Sequence, residues 1–205
     1  MLDAAMRARL EHPLAWASAV VDRPWITPDR LTVGGLVLGA AAAVAAALGW
    51  WYPALVLWLA SRVADGLDGA LARRRRSALD GRDSGAGGFL DITADFVVYG
   101  AFVVGVGVGS GGSLLPFLLV LLAYYVNGSA FLAFSSIAER TGRRLDDGRS
   151  LSFVRGLAEG TETIVVHSLW CLVPSHAGTI AWVWAVVVGA SAVQRIVGGY
   201  RALSS

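Results

Sequence analysis

The stretch Tyr52-Pro53-Ala54-Leu55-Val56-Leu57-Trp58-Leu59-Ala60-Ser61-Arg62-Val63-Ala64-Asp65-Gly66-Leu67-Asp68-Gly69-Ala70-Leu71-Ala72 decides the fold. It begins as an apolar run and ends in two carboxylates three residues apart. About 20 predominantly apolar residues are what an α-helix needs to cross a hydrocarbon core. An ionisable side chain at membrane depth is costly and marks a functional site by default. The stretch therefore reads as a membrane helix that carries chemistry near one end.

Five further apolar segments lie around it. They run over about Pro28–Leu48, Gly87–Val108, Leu114–Ala138, Leu157–Val173 and Ala177–Tyr200. Thr27 is placed as the N-cap of the first, with Pro28 at its first helical position. Pro174 closes the fifth. The expectation is an all-α fold, a six-transmembrane helical bundle in one domain over residues 1–205. Composition agrees, since 56% of the 205 residues are hydrophobic and only 16% are charged. That is too apolar for an ordinary soluble domain.

Ahead of the bundle, Leu2, Met6, Leu10, Leu14, Ala17 and Val21 recur at helical spacing. Arg7, Glu11 and Asp22 fall off that stripe, which predicts an N-terminal interfacial amphipathic helix. Ala17-Ser18-Ala19 resembles a signal cleavage site. However, Arg7, Arg9, Glu11 and His12 leave no clean apolar core before it.

All 17 basic residues are arginine. There is no basic, aromatic-interleaved stretch, so nucleic acid is set aside. Gly49-Trp50-Trp51-Tyr52, Ser110-Gly111-Gly112-Ser113 and Pro174-Ser175-His176 are short connections without arginine. Trp50, Trp51 and Tyr52 suit an aromatic belt at headgroup level. With six spans, every arginine falls on the opposite face or near it. A five- or seven-span chain would break that sorting. The positive-inside rule makes this face cytoplasmic, with both termini inside, in the cell inner (plasma) membrane. The Arg73–Gly88 stretch, rich in arginine, glycine and small polar residues, reads as a flexible loop. The one cysteine, Cys171, reads as a small buried core residue. His12, His167 and His176 form no metal spacing, and the glycines of Gly105–Gly112 read as close helix packing.

The chemistry is carried by four acids. Asp65 and Asp68 end the quoted stretch, and Asp91 and Asp95 open the next span. Spacings of three and four place each pair on one helix face. A hairpin brings the pairs to one depth, where four carboxylates need protons or cations to compensate them. All-oxygen ligands favour Mg²⁺ or Mn²⁺, and four carboxylates can bridge two such ions around a phosphoryl group. Gly66 and Gly69 read as bare positions that let a polar ligand approach the helix. Arg73 is placed to pair with phosphate as a fork. A competing reading takes the acids as interhelical salt bridges to Arg62 and Arg73 to Arg76. That leaves unexplained four acids at regular spacing flanked by glycines.

Asp65, Asp68, Gly69, Ala72 and Arg73, followed by Gly87, Asp91 and Asp95, resemble the signature of the CDP-alcohol phosphatidyltransferases, and most closely a poorly characterised inner-membrane branch of them. The likeness extends to the six spans and the N-terminal helix, nearly the whole chain. The linker departs from it: thirteen residues, Arg74 to Ala86, stand where the family usually has fewer. The resemblance implies that a phosphatidyl group passes from CDP-diacylglycerol to an alcohol acceptor with release of CMP, in phospholipid biosynthesis. It implies that Asp65, Asp68, Asp91 and Asp95 are metal ligands, with Asp95 also the base. It implies substrate contacts by Gly69, Arg73 and Ser84, by Asp29, Arg30, Leu31 and Thr32 at the start of the first span, and by Arg195 near the end of the sixth. It also implies a homodimer among membrane lipids. Glu159 and Glu162 either hold an acceptor's ammonium group or pair with Arg155 or Arg195. Outside the resemblance stand two rivals. One is a cation-binding transporter, which would tend to show internal duplication. The other is a catalytically inactive relative, against which the intact acids count.

Overall fold

A computed structural model of the chain describes residues 13–78, 85–142 and 160–204. Helix α1 covers 13–21. Helices α2 (Pro28–Ala47), α3 (Trp51–Ala78), α4 (Ala86–Gly109), α5 (Leu115–Arg140), α6 (Gly160–Leu172) and α7 (Ala177–Ser204) follow, with a 3-10 turn at Pro174–His176. No strand occurs among the described residues, as an all-α fold requires. Thr27 caps α2 as its sequence indicates, its hydroxyl accepting from the Arg30 amide at 3.2 Å.

Four segments are long and apolar enough to cross a membrane: Pro28–Ala47, Ala86–Gly109, Leu115–Arg140 and Pro174–Ser204. The surface supports this, because Val37, Val56, Val104, Leu118, Val186 and Val193 are all more than half exposed. Valine and leucine facing outward along several helices suit lipid, not water. Helix α3 has the length, with 28 residues, but carries Arg62, Asp65 and Asp68 in its middle.

Helix α2 organises one half of the molecule, since α3 and α4 each pack on it more closely than on each other. Its buried face is Thr32, Gly35, Gly39, Ala42, Ala43, Ala45 and Ala46, small enough to bring backbones together. Gly105 and Gly109 of α4 are the matching positions. A Cβ on either would run into the carbonyl group of Ala43 or Ala46. These glycines therefore serve close packing, as their sequence suggested. Helices α5 and α7 form a second pair, and α6 packs on both groups.

The space between α3 and α4 is filled by side chains. Trp58 stacks on Phe102 at 4.6 Å and meets Tyr99 edge-on at 5.4 Å. His167 of α6 lies 4.7 Å from Trp58 and 4.6 Å from Trp170. It is fully buried, with Nε2 2.9 Å from the Tyr124 hydroxyl. Trp184 Nε1 donates to that same hydroxyl at 2.7 Å. Cys171 is buried beside them in the core.

Two expectations change. The helix begun at Tyr52 does not end at Ala72. Residues 73–78 continue α3, and residues 86–88 already belong to α4. Arginine and alanine are strong helix formers, and no glycine or proline interrupts residues 70–78. Only a short part of the stretch expected as a loop lies between the helices, and residues 79–84 lie outside the described residues. The arginine extension is also fastened. Arg75 donates to Asp22 Oδ1 at 2.8 and 3.0 Å and to the Arg23 carbonyl at 2.9 Å. Arg74 Nε donates to Asp22 Oδ2 at 3.2 Å. The Arg75 contact foremost, with Arg74, holds the Asp22 carboxyl below its usual range. Helix α1 keeps Leu14, Ala17, Ser18 and Val21 on its sheltered side and exposes Trp16. Leu2, Met6 and Leu10 of the expected stripe lie outside the described residues.

Gly105→Ala should lower the thermal midpoint in detergent, because a backbone carbonyl cannot step aside as a flexible side chain does. The expected cost is about 1–3 kcal/mol. Gly178→Ala, where nothing lies within 4 Å of the added Cβ, should leave the midpoint unchanged or raise it.

Candidate functional site

One stripe of α3 runs Ala54, Trp58, Ser61, Arg62, Asp65 and Asp68, and one stripe of α4 runs Phe102, Val98, Asp95 and Asp91. Apart from the adjacent Ser61 and Arg62, both are spaced at three or four residues, so each holds one helix face. Both are apolar at one end and acidic at the other. The helix pair thus carries its carboxylates together, at the end where α2 begins.

Asp65, Asp68 and Asp91 each offer one carboxylate oxygen within 4.8 Å of the others. Asp68 is the most sheltered of them, 4% exposed. Three anionic oxygens this close suit a hard divalent cation, so the residues present fit the metal that the acids imply. Thr32 supports the cluster from α2, its hydroxyl donating to Asp68 Oδ2 at 2.6 Å.

Asp95 has a further partner. Its Oδ1 accepts from Arg62 Nη1 at 2.6 Å, and the same nitrogen is 3.9 Å from Asp65. The spacing had placed all four acids together as one set. The structure keeps the four near one another, three converging within 4.8 Å and Asp95 pairing with an arginine as well. That arginine is Arg62, one turn before Asp65 on the same face. One contact of the competing salt-bridge reading, Arg62 with Asp95, is present.

The other expected site residues divide into groups. Gly69 and Arg73 come together, since Arg73 Nη1 lies 3.2 Å from where a Gly69 Cβ would be. Asp29 stands at the start of α4, its Oδ1 3.5 Å from the Cβ position of Gly87. Arg30 is turned back onto the Trp25 carbonyl. Leu31 is half-buried, and Thr32 is the ligand of Asp68 just described. Arg195 is buried on α7, its guanidinium 5.8 Å from the Phe131 ring of α5, in a small recess with Ala130 and Phe134. Ser84, Glu159 and Arg155 lie outside the described residues. Gly66 is corrected: its bare face meets Leu14 of α1, at 3.5 Å from the Cβ position. One residue past Asp65 is about 100° around the helix, which turns Gly66 away from the acids.

Comparison with known proteins gives this constellation its class. Residues 25–191 match the family model for CDP-alcohol phosphatidyltransferases. The chain is 38% identical over 210 residues to the inner membrane protein YnjF of Escherichia coli (strain K12), covering 100% of this chain and 98% of that one. It is 30% identical over 165 residues to the archaetidylinositol phosphate synthase of Methanothermobacter thermautotrophicus, covering 80% of this chain and 74% of that one. The fold resembles that of phosphatidylinositol phosphate synthase from Mycobacterium tuberculosis. The TM-score is 0.70 against the form with CDP-DAG bound, at 21% identity over 91% of this chain and 93% of that one. It is 0.71 against the complex with manganese and citrate, at 22% identity over 91% and 88%. The chain is a membrane protein of the CDP-alcohol phosphatidyltransferase family. Membership supports the transferase over the transporter.

Thr32→Val removes the donor that orients Asp68 while keeping side-chain volume. Loss of such a supporting hydrogen bond typically costs 10–100-fold in metal affinity. Mn²⁺ titration followed by electron paramagnetic resonance should show at least about a tenfold weaker site. Ser168→Ala, whose hydroxyl donates only to the Ile164 carbonyl of its own helix, should bind Mn²⁺ as the parent does.

Proposed function

We propose that this protein transfers a phosphatidyl group from CDP-diacylglycerol to an alcohol acceptor and releases CMP, with the four acids as its reaction centre. The observation that carries the reading is the convergence of Asp65, Asp68 and Asp91 within 4.8 Å beside Gly69 and Arg73, in a chain of this family.

In this reading Asp65, Asp68, Asp91 and Asp95 hold two Mg²⁺ or Mn²⁺ ions. Such ions, when bound, neutralise charge on the pyrophosphate and stabilise the departing phosphate oxygen. Gly69 keeps the α3 surface bare, so the pyrophosphate can lie against the helix. Arg73 pairs with a phosphate there. Asp29, Arg30, Leu31 and Thr32 line the nucleotide end, with Ser84 contributing from the connection between α3 and α4. The acceptor oxygen bonds to the phosphorus nearest the lipid, and the bond from that phosphorus to the CMP oxygen breaks. The hydroxyl proton goes to the Asp95 carboxylate, acting as general base. Arg195 is the candidate contact for the acceptor. A homodimer belongs to the same reading.

The chain sits in the membrane with six spans. Helix α3 is one of the six: at 1.5 Å per residue, its 28 residues are about 42 Å long, against a hydrocarbon core of about 30 Å. The core is therefore crossed before the arginine run at residues 73–76, which emerges at the headgroups. Helix α6 is the other, its described part running from Gly160 to Leu172. Helix α1 lies along the cytoplasmic surface, and the acids face the cytoplasm.

The reading is tested with purified protein, CDP-diacylglycerol, Mg²⁺ and a panel of alcohols. Metal-dependent CMP release is expected with at least one alcohol. Asp65→Asn, Asp68→Asn and Asp91→Asn should each bring release to background while the protein still inserts into membranes. Near-parental activity in any one of them would refute the site. Orientation is checked separately by single cysteines, since the native Cys171 is only 3% exposed. A membrane-impermeant maleimide applied to intact cells should label Ser113→Cys and spare Thr141→Cys, and the reverse pattern would invert the topology.

A further inference from the structure

Arg62 is a buried cation, 8% exposed, placed where the apolar stripe of α3 gives way to the acidic one. Both terminal nitrogens of its guanidinium are engaged, while Nε is buried without a hydrogen-bond partner. Nη1 donates to Asp95 Oδ1 at 2.6 Å. Nη2 reaches Ser61 Oγ at 3.1 Å, and that hydroxyl in turn donates to the Gly35 carbonyl of α2 at 2.7 Å. The rings of Tyr99 and Trp58 lie at 4.8 and 5.2 Å. The planar group is thus wedged between α3 and α4 and tied to α2 through Ser61.

Stability alone does not account for this arrangement. A buried ion pair recovers its desolvation cost only with very good geometry, and well-packed apolar residues in its place are often as stable or more so. The arrangement does have a direct effect on the acids. Asp95 has two carboxylate oxygens, and Arg62 anchors one of them. The rest of the cluster receives a fixed positive charge, with Asp65 at 3.9 Å. That charge opposes the binding of cations to the same acids.

We infer that Arg62 is a positioning residue for the transfer: it holds Asp95 by Oδ1, turns the second oxygen toward ion and acceptor, and moderates how tightly the acids grip cations. The rotation of Asp95 is limited by the fork, and the fork's own position is fixed by Ser61 and the two rings. This rests on the reading of the acids as a metal-assisted transfer site.

The consequence has opposite signs in two measurements. Removing a positive charge beside the acids strengthens cation binding. Releasing Asp95 slows turnover, because a base out of place loses its contribution. Damage to the fold would weaken both. In Arg62→Gln, Mn²⁺ titrated by electron paramagnetic resonance should bind at least about threefold tighter. The kcat for CMP release should fall at least about tenfold, with KM for CDP-diacylglycerol within about threefold of the parent's. Arg62→Lys keeps the charge but cannot fork to Asp95 and Ser61. Its Mn²⁺ affinity should match the parent's, and its kcat should fall between the two. Weaker Mn²⁺ binding in Arg62→Gln, an unchanged kcat, or failure of both variants to fold would each overturn the inference. If the parent binds Mn²⁺ but releases no CMP with any alcohol, the transferase reading fails. The Mn²⁺ comparison then decides alone whether Arg62 moderates the acids.

Discussion

Carboxylates gathered at the end of an apolar helix pair can remain charged only with positive charge among them. That constraint shapes the rest of the molecule. Asp65, Asp68 and Asp91 converge on a volume suited to a cation, while Asp95 is answered by Arg62. Arg62 also lies 3.9 Å from Asp65, so its fixed charge serves both sides of the cluster. The aromatic filling between α3 and α4 belongs to the same solution. Trp58 and Tyr99 give the guanidinium faces to lie against and close the apolar side of the site.

Such precision needs a rigid support, and α2 supplies it through smallness. Gly35, Gly39 and the alanines that follow present almost no side chain, so α3 and α4 seat directly on its backbone. Thr32 and the Gly35 carbonyl then act at short range on the very residues that matter, Asp68 and Ser61. A bulkier α2 would hold the acids at a distance from these groups. The helix with the blandest composition is the one that sets the register of the site.

Much of this was legible in the sequence, because hydrophobic runs and carboxylates at spacings of three and four are local signals. The bounds of α2, α4, α5 and α7 follow the apolar segments within a few residues, since glycine, proline and serine mark their ends. The gathering of the four acids at one end of the helix pair was read from helix periodicity. What escaped was set by direction and distance between helices. Residue spacing puts Asp95 on the same face as Asp91 and offers Arg62 as a partner, but does not say which acid Arg62 reaches from α3. Gly66 looked like part of the site because it adjoins Asp65 in sequence, yet helical rotation turns it onto Leu14. Nor did the sequence indicate that the Thr32 hydroxyl engages Asp68. The arginine run looked like a loop because its charge suggested one, while its helix propensity carried α3 onward.

The contacts of α1 bear on how the chain can be divided. Leu14 covers Gly66, one residue from Asp65, and Asp22 is gripped by Arg74 and Arg75 just beyond Arg73. The N-terminal segment therefore holds the motif helix at the level of its acids and just beyond them, although it supplies none of the chemistry. Chimeras between relatives that join a new leader at the start of α2 would inherit a complete signature and lose its brace. The natural seam for exchanging segments in this protein lies elsewhere, at the Ser110–Ser113 turn, where the α2–α3–α4 group ends and its neighbours begin.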